Sequence, residues 1–199
     1  MAVLTTSRRR RARRSLKSAA AQWVVMSALL LSSVQGALTD TAPPPEYQLK
    51  AVFLFNFAQF VEWPPQAFPE AQTPLVIGVL GEDPFGAYLD EIVRDEIVND
   101  RPLAIQRYHR VEEIKTCHVL FISRSEADRF EQIFTDLKGR HILTVGDAAG
   151  FVKHGGLIRF VIEKNKIRLR VNLEAAKDTN LVISSKLLRP AEIVPPGED

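Results

Sequence analysis

Short apolar runs separated by helical patterns lay out the middle of this chain. Residues 75–80 (LVIGVL), 103–108, 117–122 (CHVLFI) and 142–145 (ILTV) each have the length and apolar density of a buried strand. Helical signals lie between them. Asp83 stands before Pro84, an N-cap followed by proline at the first helical position, and predicts a helix to about residue 94 with Phe85, Leu89, Ile92 and Val93 on one side. Ser123 and Ser125 offer caps with Glu126 or Asp128 three residues on, and Phe130, Ile133, Phe134 and Leu137 follow at helical spacing before Gly139. Strands alternating with helical crossovers predict an α/β fold, a mostly parallel sheet with helices on both faces. After Gly146-Asp147 the pair Gly155-Gly156 opens another apolar run, 157–162. Asn165-Lys166 then reverses the chain into 167–171, where apolar positions alternate with Arg168 and Arg170. That pair predicts a C-terminal antiparallel hairpin, and 173–188 reads as a closing helix.

The first element of the body departs from this amphipathic plan. Residues 46–63 read as a helix between Pro43-Pro44-Pro45 and Pro64-Pro65, and twelve of the seventeen residues 47–63 are apolar. One stripe cannot hold twelve, so the helix is buried on more than one side. One side meets its own sheet. Phe53, Phe57, Phe60 and Trp63 are candidates for the other, either as further core or as an interface with a second copy or a partner.

Charge divides the chain in two. Seven of the 26 basic residues and none of the 24 acidic ones lie in 1–36, leaving 19 against 24 and a body of net charge −5. A mildly acidic body lacks the basic face that nucleic-acid binding needs. The front itself has the form of an export signal: a basic start, an apolar core at 23–31, and Val34-Gln35-Gly36 placing small residues before a cleavage point at Ala37. A retained signal anchor is the alternative, and Arg13-Arg14 loosely fits a twin-arginine signal. The domain plan is a signal peptide over 1–36, a linker over 37–45, one domain over 46–194, and a flexible tail over 195–199. Periplasmic localisation follows from that plan. Cys117 is the only cysteine, so neither an internal disulfide nor a cysteine-based zinc site exists, and its apolar run reads as core.

The chemistry-bearing motifs of common enzymes are absent. The four histidines, His109, His118, His141 and His154, form no HExxH pair, and GxSxG, GxxxxGK[ST] and GxGxxG do not occur. No cofactor and no metal site is expected. In parallel sheets ligands bind beyond the carboxyl ends of strands, where this chain places Asp83, Arg124 and Asp147. Helix capping accounts for the acids equally well, so a small-molecule site there is the alternative function.

YQLKAVFLFNFAQFVEWP at 47–64, LVIGVLGEDPFG at 75–86, CHVLFIS at 117–123, ILTVGD at 142–147, GGLIRF at 155–160 and IRLRVNLEAAKDTNLVISSKLL at 167–188 resemble the YfiR family of exported bacterial proteins. The resemblance implies a periplasmic α/β domain, often dimeric, that is no enzyme. It further implies a regulator that restrains an inner-membrane signalling protein, a diguanylate cyclase or sensor kinase. Release of such restraint raises cyclic di-GMP and promotes biofilm formation. Two features depart from the family's regulatory type. Its members carry several redox-responsive cysteines where this chain has Cys117 alone, and Pro190 interrupts the helical pattern near the C-terminal surface.

Overall fold

The architecture follows from which faces of the strands are apolar. The computed structural model describes residues 44–195 and 197–199. The signal segment 1–36 and most of the linker lie outside the described residues. The order is α1 (Pro45–Phe60), β1 (Val61–Glu62), β2 (Leu75–Leu80), α2 (Ala87–Val93), β3 (Ile97–Val98), β4 (Arg101–Tyr108), β5 (Val119–Ile122), α3 (Phe130–Leu137), β6 (Leu143–Gly146), β7 (Ile158–Glu163), β8 (Lys166–Val171), α4 (Leu173–Lys177), β9 (Val182–Ile183), α5 (Ser185–Leu188) and β10 (Glu192–Ile193). Single 3-10 turns occupy Pro65–Ala67 and Val111–Glu113, and a longer one, Arg124–Arg129, leads into α3.

Eight strands form one sheet in the order β10-β8-β7-β6-β5-β2-β4-β3. The run from β7 to β4 is parallel throughout, and β8 pairs antiparallel with β7. This is the expected mostly parallel sheet with a C-terminal hairpin. Every residue of β2, β5 and β6 is buried, as strands covered on both faces must be. Their alternation sorts two cores. Leu75, Ile77, Val79, Val119, Phe121, Leu143 and Val145 meet α1 and α2 on one face. Leu120 and Ile122 meet Phe130, Ile133 and Phe151 on the other. Among the described residues, no helix is long and apolar enough to cross a membrane.

Four local expectations are corrected. Asp83 does not cap a helix at Pro84. Its Oδ1 accepts from the Phe85 N–H at 2.7 Å, a local turn, and the helix starts only after Gly86 at φ +55°. The hairpin turns on Lys164-Asn165, both at positive φ, with Glu163 opposite Lys166, one residue before the expected reversal. The closing helix is broken into α4 and α5, because Asn180 adopts φ +55° and a short strand intervenes. That strand, β9, pairs with β1, Val61 opposite Ile183. The first helix accordingly ends at Phe60 rather than Trp63. Pairing with β9 pulls Val61 and Glu62 into extended backbone.

α1 is anchored at its far end by aromatic and polar contacts. Trp63 Nε1 donates to the His118 carbonyl at 3.2 Å, and the two rings meet edge to face at 5.8 Å. Phe68 stacks on the other side of the imidazole at 4.4 Å. His118 is fully buried, its Nδ1 accepting from the Val76 N–H at 3.0 Å. Nε2 therefore carries the proton and donates to the Ala67 carbonyl at 3.2 Å. Burial pushes the His118 pKa down to about 4 from the ordinary 6.5, against the opposing pull of the Ala67 carbonyl, and nearby Arg101 adds to the lowering. The unfolded chain therefore takes up the proton first as pH falls. The contribution is complete above pH 6.5 and is lost progressively from there down to about pH 4, by about 3 kcal/mol in all. Urea unfolding at pH 7 and pH 4.5 checks this. His118→Asn, which keeps an acceptor but cannot titrate in this range, should lose much less on acidification, and an acid response equal to that of the native chain would refute the assignment.

Candidate functional site

Strand register brings the candidate residues Arg124 and Asp147 together. β5 and β6 are adjacent and parallel with Ile122 opposite Gly146, so the first residues beyond their carboxyl ends share one edge. Arg124 Nε donates to Asp147 Oδ1 at 3.0 Å. The Asp147 carboxylate is almost wholly enclosed, its side chain 1% exposed, while Arg124 is 58% exposed.

The first two turns of α1 complete the site. Helical spacing puts Glu46 and Lys50 on one face, four residues apart. Lys50 Nζ binds Asp147 Oδ2 at 2.5 Å and also pairs with Glu46 Oε1. The Lys50 side chain is 1% exposed, among the most deeply buried in the protein. Tyr47 donates its hydroxyl to Asp147 Oδ2 at 2.9 Å, and its ring lies 4.3 Å beneath the Lys50 ammonium. Burial, and next the Asp147 charge, push the Tyr47 phenol up to about 12. Arg124 also reaches Glu46 Oε1 at 3.8 Å. Two cations and two carboxylates thus balance, with the buried carboxylate held by three donors. A buried charge needs this degree of pairing to offset its desolvation.

Asp83 lies elsewhere. β2 separates β5 from β4, and Asp83 turns toward β4, where its Oδ2 accepts from Arg107 Nε at 2.7 Å. Arg107 also binds Asp90 Oδ2 at 2.5 Å and the Gly86 carbonyl at 3.0 Å. Asp83 therefore fixes the loop before α2 and makes no part of the Arg124–Asp147 cluster. Glu46, Tyr47 and Lys50 were not among the residues singled out in the sequence. One signal was present: Lys50 is the only cation in a mostly apolar helical stretch, and a lysine there needs a buried partner.

The candidate interface aromatics pack largely on their own domain. Phe57 is 1% exposed and stacks on Phe160 at 5.9 Å, with Phe53 5.7 Å from the same ring. Phe60 and Trp63 are half-buried against the same core. The apolar residues that α1 turns outward are Leu49 and Val52.

A groove of about 460 Å³ opens at the opposite end of the sheet, lined by Phe134, Arg140, Thr144, His154, Leu157 and Asn172 among others. Thr144 and Asn172 use their side-chain oxygens on the Leu157 and Ala175 amides, so both serve the backbone there. Among the described residues, no group of three or more histidine, cysteine or acidic side chains could hold a metal ion. Cys117 is buried, its thiol pushed up to about 12 by burial, and donates to the Val119 carbonyl at 3.2 Å.

A family model described as YfiR/HmsC-like matches residues 47–192, which include Tyr47, Lys50, Arg124 and Asp147. A crystal structure of a conserved domain protein from Vibrio cholerae O1 biovar El Tor is similar over 76% of this chain, at 11% identity and a TM-score of 0.46. The chain spans 60% of the length of that structure. No curated protein matches it.

Proposed function

The chain belongs to the YfiR/HmsC-like family of periplasmic regulators, and from that membership we propose that it binds and restrains an inner-membrane signalling protein, a diguanylate cyclase. The match across residues 47–192 carries the reading. Physically, restraint requires only that the domain bind the inactive arrangement of its target more tightly than the active one. Within that reading, the N-terminal segment 1–36 is a cleaved export signal, and Leu49 and Val52, with the half-buried Phe53, Phe60 and Trp63 nearby, form the contact face of α1. The same face could serve a homodimer. With Cys117 as the only cysteine, any switching of this chain works without an internal disulfide. Deleting the protein from its host should raise cyclic di-GMP and biofilm mass. Unchanged levels of both would refute the proposal.

A second reading is a small-molecule site at the strand carboxyl ends. It is favoured by Arg124, whose side chain is more than half exposed beside the buried Asp147 carboxylate. A ligand that binds only the folded chain raises its unfolding midpoint. A thermal-shift panel of metabolites should then contain at least one that raises the midpoint of the native chain but not of Arg124→Ala. A flat panel eliminates this reading.

A further inference from the structure

Arg159 of β7 and Arg170 of β8 stand directly opposite one another in the hairpin register. Like charges placed across a strand pair repel; Glu163 and Glu192 offset Arg170, which leaves Arg159 in need of an anion. Asp199 supplies it. Its carboxylate pairs with the Arg159 guanidinium through Oδ2 and accepts the backbone N–H of Gly150 at 2.7 Å and of Val152 at 3.3 Å. Arg170 donates to the Asp199 backbone oxygen at 2.9 Å. Two amides from one turn and one guanidinium N–H of Arg159 converging on a carboxylate make a built anion receptor. Gly150 contributes by conformation, its φ of +79° turning its amide toward the carboxylate.

Two observations separate this receptor from ordinary tail packing. Residues 195, 197 and 198 are exposed, so Asp199 itself holds this end of the chain against the domain. Among the described residues Arg159 Nε has no hydrogen-bond partner, so Asp199 engages only one nitrogen of this guanidinium. Glu163 and Glu192 lie at 3.5 and 3.0 Å from Arg170, on the outer side of the pair, and leave Arg159 to Asp199.

We propose that Arg159, Arg170 and the amides of Gly150 and Val152 form a recognition site for an acidic peptide segment of a protein partner. Asp199 occupies it in cis as an intramolecular competitor. A partner carboxylate displaces Asp199, frees residues 195–199 and docks on the hairpin edge. The site adjoins the Asp147 cluster, since Arg159 stands opposite Gly146 in the β6–β7 register, but shares no side chain with it. It refines the partner-binding reading by naming the chemistry of one contact, and peptide binding and the cyclic di-GMP phenotype of a deletion can each fail without the other.

The test uses the purified full chain and a dye-labelled peptide of residues 194–199, amidated at its end so that it offers side-chain carboxylates alone. Fluorescence anisotropy reads the affinity. Self-occupancy lowers apparent affinity by the fraction of time that the site is free, so Asp199→Asn should bind the peptide about tenfold more tightly than the native chain. Adding Arg159→Ala to Asp199→Asn should abolish binding. Arg159→Lys in the same background keeps the charge but has no Nε–H to offer an incoming carboxylate, and should weaken it markedly. Equal affinity of the native chain and Asp199→Asn, absence of binding in both, or binding that survives Arg159→Lys unchanged would overturn the proposal. A competition arm with free succinate separates the sources of the carboxylate. Displacement only at concentrations far above the peptide's supports peptide recognition, and succinate binding as tightly as the peptide overturns it in favour of a small dicarboxylate.

Discussion

Lys50→Met is expected to lower the stability of the folded chain by about 3 kcal/mol. Methionine fills nearly the same volume, so the packing loss is small. What is lost is the cation facing Asp147, whose side chain is 1% exposed. Removing one partner of a buried pair leaves the other charge enclosed and underpaired, which costs far more than the net worth of the intact pair. Arg124 and Tyr47 still hold the carboxylate, and this keeps the loss below the upper end of what such changes cost. Asp147→Asn should be destabilising in the same way. Combining the two should cost less than the sum of the single changes, by more than about 1 kcal/mol, because residues in direct contact do not add. Denaturant unfolding of the four chains measures this cycle. Single losses under about 1 kcal/mol with no coupling would mean that the cluster is decoration on a helix held by its aromatic contacts alone.

The cluster also marks how far the sequence could be read. The strand positions were legible because β2, β5 and β6 are buried on both faces and therefore appear as continuous apolar runs. Strand adjacency was not in that signal. Arg124 and Asp147 meet because β5 and β6 are neighbours, whereas Asp83, although its own strand β2 adjoins β5, is excluded because its loop turns to Arg107 of β4. Lys50 was visible only as an oddity within α1, since its partner lies 97 residues away. The fate of residues 173–188 was equally non-local. Their apolar spacing suits a helix, and only pairing with β1 draws Val182 and Ile183 into a strand. Asp199 shows the same limit at the other end. The composition of 195–199 reads as a free tail, but the amides and arginines that capture the carboxylate come from a turn and a hairpin some 30 to 50 residues earlier.

Function was less legible than fold for a physical reason. Enzymes announce themselves when chemistry demands fixed residue types at fixed spacing. A binding protein needs a shaped surface, and many sequences provide one. Membership in the YfiR/HmsC-like family is what motivates the partner-binding reading proposed above. The interior then indicates how such a surface is kept rigid. α1 is clamped at its start by the Asp147 network and at its end by Trp63, β1 and the Phe60 carbonyl, which accepts from the Ser184 N–H at 2.9 Å. A helix fixed at both ends presents Leu49 and Val52 in one orientation, which would lower the ordering cost of the docking proposed above.

Phe151→Ala is expected to destabilise the chain by about 3–5 kcal/mol, the range for emptying a buried aromatic site. Phe151 is 0% exposed and lies in the turn-rich stretch between β6 and β7. Its ring meets Phe130 and Phe134 edge to face, each at 5.3 Å. Two glycines close the remaining sides. A Cβ on Gly146 would stand 2.4 Å from the ring, and one on Gly156 would stand 2.2 Å from it. Neither glycine has positive φ, so both are required by space rather than by backbone conformation. That geometry yields a compensation that ordinary cavity formation lacks. Gly156→Ala alone should cost at least about 1–3 kcal/mol through overpacking. In a Phe151→Leu background the same methyl enters volume that the smaller side chain vacates, so its cost should fall toward zero. Thermal or urea unfolding of the single and double variants measures both terms. If Gly156→Ala costs the same beside leucine as beside phenylalanine, the glycine is needed for something other than the ring, and the description of this core is wrong at its tightest point.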